Sequence, residues 1–255
     1  MEAVSIIAHM ENLSMRGGKF LDGRLALVTG GGRGIGRAVA LRLAALGAET
    51  LVAGPTQAHL DETAGLIRAA GGKAGTARAD VSDENDVLAL FAEAGRRGKL
   101  DILINNAGIG RFMKIVDTSA GEWDRVLAVN LRGAFLCARE AMRAMAGRGG
   151  RIINVSSVVG IKGYPNQGAY TASKHGLIGL SKVMAVEGQA DGIITQVVAP
   201  GGVDTDLASQ GRPDLDRAVL ITPDDIADAV EYLLGQDGNA VTDMIQIRRK
   251  GNAPW

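Results

Sequence analysis

The feature that most limits the possible folds of this chain is an apolar run that passes through clustered glycines into a helical pattern. Leu25–Thr29 is apolar and strand-like, residues 30–36 read Gly-Gly-Gly-Arg-Gly-Ile-Gly, and Arg37–Leu46 has the periodicity of a helix. Glycines allow a tight turn and close approach to a pyrophosphate, an anion that a helix N-terminus favours. The order is typical of dinucleotide-binding proteins, although a glycine-rich turn between packed elements would look the same. Without the Gly-Lys-Ser/Thr ending of a P-loop, ATP or GTP hydrolysis is disfavoured.

Strand-like and helix-like segments alternate along the rest of the chain. Strands are predicted near residues 25–29, 50–53, 74–78, 101–104, 151–155, 193–199 and 243–247. Helices are predicted near 35–46, 57–70, 84–96, 119–146, 169–189 and 223–234. This alternation predicts an α/β protein: a single-domain, doubly wound Rossmann fold with a seven-stranded parallel sheet and helices on both faces. The ligand is then expected at the carboxyl ends of the strands.

No repeat or long linker divides the chain, so we expect one domain at residues 22–255 after an N-terminal extension at residues 1–21. The extension lacks the basic start of a signal peptide, and Met10 or Met15 could also be the natural first residue. No function is predicted for it.

The composition points away from several classes of protein. Lys+Arg and Asp+Glu both total 28, which gives no electrostatic case for binding nucleic acid or an anionic membrane. No apolar run reaches the roughly 20 residues of a membrane span. His9, His59 and His175 lack metal-ligand spacing, so no metal is expected, and Cys137 is expected in the core. A cytoplasmic enzyme is the simplest interpretation.

Tyr170 and Lys174 lie four positions apart in the run Tyr-Thr-Ala-Ser-Lys. On a helix this spacing places both side chains on one face. An ammonium about 4 Å from the phenol is expected to lower the pKa of Tyr170 by up to about three units, which would make it a general acid or base near neutral pH. The same pair also occurs on ordinary helices as a half-buried ring beside a solvated amine.

Several motifs together resemble those of the short-chain dehydrogenase/reductase family. They are Thr29-Gly30 through Gly36, Asn105-Asn106-Ala107-Gly108, Tyr170-x-x-x-Lys174 and Pro200-Gly201. The resemblance covers residues 22 to about 249, and the pattern is most similar to 3-oxoacyl-carrier-protein reductases. It implies hydride transfer between a nicotinamide dinucleotide and a carbonyl or secondary alcohol.

The resemblance also implies a catalytic tetrad. Its members would be Asn130, Ser157, Tyr170 and Lys174. Ser157 precedes Tyr170 by 13 positions and would hold the substrate oxygen, whereas the neighbouring Ser156 would be structural. Asn130 would hold a water that links Lys174 to solvent. An asparagine inside a helix is intrinsically unfavourable, which indicates a specific reason for its presence.

The sequence favours NADP(H) over NAD(H), because no carboxylate follows the second strand, where one would bind the ribose hydroxyls. Arg33 could pair with a 2′-phosphate or could be a solvated surface arginine, and Thr56 looks like a helix N-cap. By resemblance, Asp80 and Val81 would flank the adenine, although Asp80 could be an N-cap instead. The predicted coenzyme site comprises Gly30, Arg33, Gly34, Ile35, Gly36, Thr56, Asp80, Val81, Asn106, Ala107, Gly108, Tyr170, Lys174, Pro200, Gly201, Val203 and Thr205.

The substrate is less constrained. The predicted lining is mostly apolar and consists of Phe112, Met113, Val159, Ile161, Tyr164 and Leu207. Arg111, Lys162 or Arg212 could meet an anionic carrier or coenzyme A, or could simply be surface residues. The best guess is a 3-oxoacyl thioester, and a sugar, polyol, steroid or xenobiotic carbonyl is the alternative.

Two other functions predict different sequence features from those seen here. An NADP-binding regulatory protein should have a broken tetrad, whereas all four positions are filled here, and a scaffold should lack the glycine turn. By resemblance the protein should form a homotetramer or homodimer through helices 119–146 and 169–189. The C-terminus departs from the family, because Met244–Ile247 leads into Arg-Arg-Lys-Gly instead of ending in Asp-Gly-Gly.

Overall fold

A computed structural model describes residues 18–211 and 216–252 of the chain. The extension up to residue 17, with His9, Met10 and Met15, lies outside the described residues. So do Arg212 and residues 253–255. Leu21, which we assigned to the extension, is buried in the core, and its N–H donates to the carbonyl of Leu46. The domain boundary at residue 22 stays a prediction.

The described residues form one parallel sheet of seven strands, as the sequence predicted. The strands are β1 (Leu25–Thr29), β2 (Glu49–Gly54), β3 (Lys73–Arg78), β4 (Leu100–Asn105), β5 (Gly150–Val155), β6 (Ile193–Pro200) and β7 (Met244–Ile247). Their order is β3-β2-β1-β4-β5-β6-β7. The order reverses direction between β1 and β4, and this is the switch point at which doubly wound sheets bind ligands.

Helices cover both faces of the sheet. They are α1 (Gly34–Ala45), α2 (Gln57–Ala69), α3 (Glu84–Arg97), α4 (Ala120–Leu127), α5 (Ala134–Met145), α6 (Gly168–Gly188), α7 (Asp206–Gly211) and α8 (Pro223–Leu234). The predicted helix 119–146 is thus α4 and α5 joined by a π-helical segment, Ala128–Gly133. The short helix α7 had no counterpart among the predicted elements.

The two faces have separate cores because side chains alternate along each strand. In β1, Ala26 and Val28 pack in the core that contains α1 and α8. Leu25 and Leu27 pack in the opposite core, with α3 and α5. Burial on both faces explains why a central strand such as β1 reads as a continuous apolar run rather than an alternating one.

Cys137 lies in the second core and is fully buried, as expected. Burial, with a smaller contribution from Glu140, raises the pKa of its thiol to about 12. Its thiolate is therefore strongly disfavoured at neutral pH.

Candidate active site

A cleft of about 920 Å³ opens at the carboxyl ends of β1, β2, β4 and β5. The glycine turn, the end of β2, the Asn105–Gly108 motif, and Tyr170 and Lys174 of α6 all contribute to its wall. The sequence therefore placed these motifs at the correct edge of the sheet.

The glycine turn leaves room for a backbone contact that any side chain would block. A Cβ at Gly36 would overlap the carbonyl oxygen of Gly30 and lie 2.5 Å from Nδ2 of Asn106. Gly30 itself has φ +65°, which favours glycine. Because α1 begins at Gly34, its unpaired N–H groups lie at this turn, and this backbone cradle fits the pyrophosphate of a dinucleotide.

Asn106 fastens the glycine turn to the end of β4. Its Nδ2 donates to the carbonyl oxygens of Thr29 (3.0 Å) and Gly30 (3.2 Å). The backbone N–H groups of Asn106 and Ala107 donate to Thr29 Oγ1 at 3.1 and 3.2 Å. Asn106, Ala107 and Gly108 line the cleft as predicted, but the amide of Asn106 is committed to shaping the turn.

Asn130 lies in the π-helical segment and is 1% exposed. Its Oδ1 accepts from the N–H of Ile109 (2.8 Å), and its Nδ2 donates to the Ile109 carbonyl (2.9 Å) and to Ser173 Oγ (3.1 Å). The Ser173 hydroxyl donates to the carbonyl of Tyr170 at 2.7 Å. π-Helical segments are frequent at functional sites, and here one aims an asparagine between the loop after β4 and the helix that carries Tyr170.

Ser173 is a further residue of this network that was not predicted from the sequence. It is fully buried and links Asn130 to the backbone of α6. Its position immediately before Lys174 was the only signal in the sequence, and its contact with Asn130 spans 43 residues.

Ser157, Tyr170 and Lys174 converge between β5 and α6. The hydroxyl of Ser157 is hydrogen-bonded with Tyr170 and also donates to the carbonyl of Pro200 at 3.2 Å. The Lys174 Nζ lies 5.8 Å from the centre of the Tyr170 ring and donates to the carbonyl of Val155 at 2.8 Å. Ser156 instead donates to the Lys174 carbonyl, which matches its expected structural role.

The expectation that Lys174 lowers the pKa of Tyr170 is wrong for this structure. Burial raises the pKa of Tyr170 to about 12, and the hydrogen bond with Ser157 opposes that rise only in part. Burial also lowers the pKa of Lys174 to about 8. Burial disfavours the charged form of each side chain, and the Lys174 ammonium donates its hydrogen bond to the Val155 carbonyl.

Asp80 and Val81 line the cleft at the end expected for adenine. Asp80 is not the N-cap of α3, because Asp83 accepts the capping hydrogen bonds. The carboxylate of Asp80 accepts from the backbone and hydroxyl of Ser82 and from Arg125 (3.1 Å). Burial acts to raise the pKa of Asp80, but these hydrogen bonds outweigh it and hold the pKa below its usual value.

The remaining predicted coenzyme residues divide into two groups. Arg33, Gly34, Ile35, Thr56 and Thr205 lie in the cleft wall. Pro200, Gly201 and Val203 are not part of that wall, and Val203 is buried and paired with Ile221. Thr56 occupies the N-cap position of α2 but makes no capping hydrogen bond with its side chain.

Arg33 is not simply a solvated surface arginine. Its Nη1 lies 2.6 Å from Oδ2 of Asp206, the first residue of α7, so the ion pair joins the glycine turn to the segment after β6. Both side chains are more than half exposed. Such a pair is weak in water and can exchange for another anion.

Apolar side chains lie beside Tyr170 and Gly110, and their role in lining a substrate site stays a prediction. The rings of Phe112 and Tyr170 meet edge to face, with centroids 6.0 Å apart and planes at 65°. Leu207 lines the cleft, and a Cβ at Gly110 would come within 2.9 Å of its Cδ1. Val159, Ile161 and Tyr164 are not part of the cleft wall.

Residues 24–216 match the sequence model of the family described as short chain dehydrogenase. The chain belongs to this family. Short-chain dehydrogenases use a nicotinamide coenzyme and act on alcohol and carbonyl groups, so this protein is an oxidoreductase of CH–OH groups. The suspected resemblance is thereby confirmed for the family, whereas the link to 3-oxoacyl-carrier-protein reductases stays a prediction.

Three proteins illustrate what this dehydrogenase resembles. The chain is 37% identical over 231 residues to a 3beta-hydroxysteroid dehydrogenase of Mediterraneibacter gnavus, covering 90% of this chain and 83% of that protein. It is 37% identical over 234 residues to a cis-4-hydroxycyclohexanecarboxylate dehydrogenase of Sinomonas cyclohexanicum, covering 87% and 93%. The crystal structure of a levodione reductase superposes with a TM-score of 0.83 at 33% identity, covering 89% and 96%.

Two further features concern only the described part of this dehydrogenase. None of its helices combines the length and the apolar character needed to cross a membrane. Within residues 18–211 and 216–252, His, Cys, Asp and Glu side chains nowhere form a cluster of three that could hold a metal ion.

Proposed function

We propose that this short-chain dehydrogenase interconverts a ring ketone and the corresponding secondary alcohol with NADP(H), and that Asn130, Ser157, Tyr170 and Lys174 are its functional tetrad. The observation that carries the proposal is the hydrogen bond between Ser157 and Tyr170, because Tyr170 lines the same cleft as the glycine turn and packs against Phe112. Two relatives support a cyclic substrate, since their names specify a hydroxysteroid and a hydroxycyclohexanecarboxylate. Those relatives give no support to the expected 3-oxoacyl thioester.

The proposed mechanism assigns a separate task to each side chain. A bound nicotinamide dinucleotide would supply the hydride to the carbonyl carbon or accept it from the alcohol. The hydroxyls of Ser157 and Tyr170 hydrogen-bond the carbonyl oxygen and stabilise the negative charge that develops on it. With a pKa of about 12, Tyr170 holds its proton at neutral pH and can donate it to that oxygen, which suits carbonyl reduction.

Lys174 and Asn130 support Tyr170 and do not contact the substrate themselves. The Lys174 ammonium, with a pKa of about 8, still holds its proton at neutral pH and can supply positive charge near the phenol as Tyr170 gives up its own. Asn130 fixes the loop after β4 through both backbone groups of Ile109. The water expected between Asn130 and Lys174 stays a prediction.

The choice of NADP(H) is supported by charge at the end of β2. The strand ends at Gly54 and is followed by Pro55 and Thr56, so no carboxylate repels a 2′-phosphate there. Arg78, at the end of β3, donates from Nε to the Pro55 carbonyl at 3.2 Å and places a second guanidinium beside this turn. Arg33 is available if its exposed pair with Asp206 opens.

A matched pair of coenzyme measurements tests this choice. Arg33→Ala should raise the KM for NADPH about tenfold, the effect of one charge-assisted hydrogen bond, and leave the KM for NADH within about twofold. Asp206→Asn is the control, because it frees Arg33 and should lower the KM for NADPH. Equal changes for both coenzymes would contradict the proposal.

The reaction itself is tested by the oxidation of NADPH with a panel of ketones. We expect turnover with cyclohexanone and decalone derivatives at a kcat/KM at least tenfold above that of 3-oxoacyl thioesters, open-chain sugars and linear ketones. Preference for a thioester would favour the alternative function, and coenzyme binding without any turnover would favour a regulatory protein.

Exposed apolar side chains support the proposed homo-oligomer. Phe135 in α5 is 42% exposed, and Val183 and Val186 in α6 are 52% and 74% exposed. These are the two long helices expected at the subunit interface. Light scattering of the purified protein should give a dimer or tetramer mass, and a monomer would overturn this part of the proposal. The cytoplasmic location stays a prediction.

A further inference from the structure

Six arginines line the cleft, and five of them are paired with carboxylates. The pairs are Arg33–Asp206, Arg37–Glu62, Arg42 with Asp228 and Glu231, Arg125–Asp80 and Arg217–Asp204. Among the described residues, Arg111 alone of the six has no carboxylate within ion-pair distance. Within the described residues, Arg111 is therefore the one arginine of this wall whose charge has no carboxylate partner.

The place of Arg111 in the fold separates it from the phosphate cradle and brings it close to Tyr170. It lies in the loop after β4, whereas the phosphate cradle at Gly30–Gly36 lies in the loop after β1. The next residue, Phe112, touches the ring of Tyr170. Arg111 is exposed at the cleft, so its guanidinium can meet a ligand without a large loss of hydration.

The loop that carries Arg111 is held at both ends. On one side, both backbone groups of Ile109 are bonded to Asn130. On the other side, Met113 forms a β-bridge with Gln167, directly before α6. The loop that carries Arg111 is therefore fixed relative to Tyr170. A side chain that selects among substrates needs such a fixed position.

Apolar side chains lie against Gly110, the residue directly before Arg111. A Cβ at Gly110 would come within 2.7 Å of Phe112 Cε2 and 2.9 Å of Leu207 Cδ1. The absence of a side chain at 110 thus lets Phe112 and Leu207 approach each other beside Tyr170. Two apolar walls suit the faces of an aliphatic ring.

From this arrangement, and resting on the proposed function, we infer that Arg111 binds an anionic group of the substrate while Phe112 and Leu207 contact its ring. The substrate class is an alicyclic ketone, or the corresponding alcohol, that carries a carboxylate on the side of the ring away from the reacting carbon. A guanidinium suits this role because it can donate two parallel hydrogen bonds to a carboxylate.

The test compares 4-oxocyclohexanecarboxylate with its methyl ester, which has the same ring without the charge. The wild-type enzyme should prefer the acid by about 10- to 100-fold in kcat/KM, the effect of a charge-assisted hydrogen-bonded pair. Arg111→Gln should remove this preference by raising the KM for the acid and leave the kinetics with the ester within about twofold. Arg111→Lys should restore part of the preference.

Two controls separate this role from others. Arg217→Gln removes one positive charge from the same wall, but the charge it removes is paired, so the preference for the acid should persist. The Kd for NADPH, measured by fluorescence, should be the same in Arg111→Gln and wild type. A weakened Kd would assign Arg111 to the coenzyme and overturn the inference.

The remaining outcomes distinguish a failure of the Arg111 inference from a failure of the proposed function. Equal losses on acid and ester in Arg111→Gln, or a wild-type preference for the ester, would overturn the inference and leave the proposed function intact. If a 3-oxoacyl coenzyme A were the preferred and Arg111-sensitive substrate, the anion would belong to a carrier and the alicyclic class would be wrong. No turnover of any ketone by the wild-type enzyme would instead refute the proposed function.

Discussion

Replacing Lys174 by methionine should make the protein more stable at neutral pH while it removes activity. The amine is 4% exposed, and burial lowers its pKa from the ordinary value of 10.5 to about 8. At neutral pH the folded protein thus holds a charged group that its surroundings disfavour. Methionine fills a similar volume without the charge, although the hydrogen bond to the Val155 carbonyl is lost.

The magnitude follows from the difference between the pKa of Lys174 in the unfolded chain, 10.5, and its pKa in the folded protein, about 8. The unfolded chain binds the proton more tightly than the folded protein, so between about pH 8 and 10.5 stability rises with pH. At pH 7 the buried charge costs about 3 kcal/mol, and at pH 9.5 about 1.4 kcal/mol. The hydrogen bond to Val155 returns about 1 to 2 kcal/mol. Lys174→Met should therefore gain about 1 to 2 kcal/mol at pH 7, and its advantage should shrink by about 2 kcal/mol by pH 9.5.

Urea unfolding followed by circular dichroism, at several pH values from 7 to 9.5, measures this difference. Lys182→Met, at an exposed position of the same helix, controls for the loss of a lysine. A stability difference between Lys174→Met and wild type that does not change with pH would refute the reasoning. A gain in stability together with a loss of turnover would show that the charge is kept for function at the expense of the fold.

Two further substitutions test how the cleft is built. Asn130→Ala removes three hydrogen bonds and leaves the N–H and the carbonyl of Ile109 without their partner, so the free energy of unfolding should fall by about 2 to 4 kcal/mol. Urea titration measures this loss, and a loss below about 0.5 kcal/mol would contradict the expectation. Gly36→Ala should cost about 1 to 3 kcal/mol and weaken NADPH binding, because its methyl overlaps Gly30. Gly65→Ala in α2 is its control, since that methyl would meet nothing within 4 Å and should be neutral or stabilising. If Gly36→Ala and Gly65→Ala had the same free energy of unfolding and the same Kd for NADPH, the role of the glycine turn as a pyrophosphate cradle would be refuted.

The sequence was sufficient for the architecture and for the edge of the sheet at which the candidate site lies. Strands buried on both faces give apolar runs that are easy to recognise, and the glycines at 30–36 are contiguous in the sequence, so their pattern is visible without knowledge of the contacts they make. The seven strands and the six longer helical regions consequently lie close to their predicted positions. The missed α7 has only six residues, too few for helical periodicity to show.

The sequence was insufficient for the electrostatics of the site. The spacing of Tyr170 and Lys174 fixes a shared helix face, but the burial that controls both pKa values depends on elements distant in sequence. The ion pair between Arg33 and Asp206 joins residues 173 positions apart, so no local pattern reports it. The π-helical segment that aims Asn130 at Ile109 likewise depends on tertiary contacts with α6.

The measurement that tests the central claim most directly is single-turnover hydride transfer in Tyr170→Phe, followed by the loss of NADPH absorbance with a ring ketone. The variant keeps the ring that contacts Phe112 and loses only the hydroxyl that would donate the proton. The account predicts a rate about 10²- to 10⁴-fold below that of the wild type, with the Kd for NADPH unchanged within about twofold. Hydride transfer at a rate near that of the wild type would contradict it.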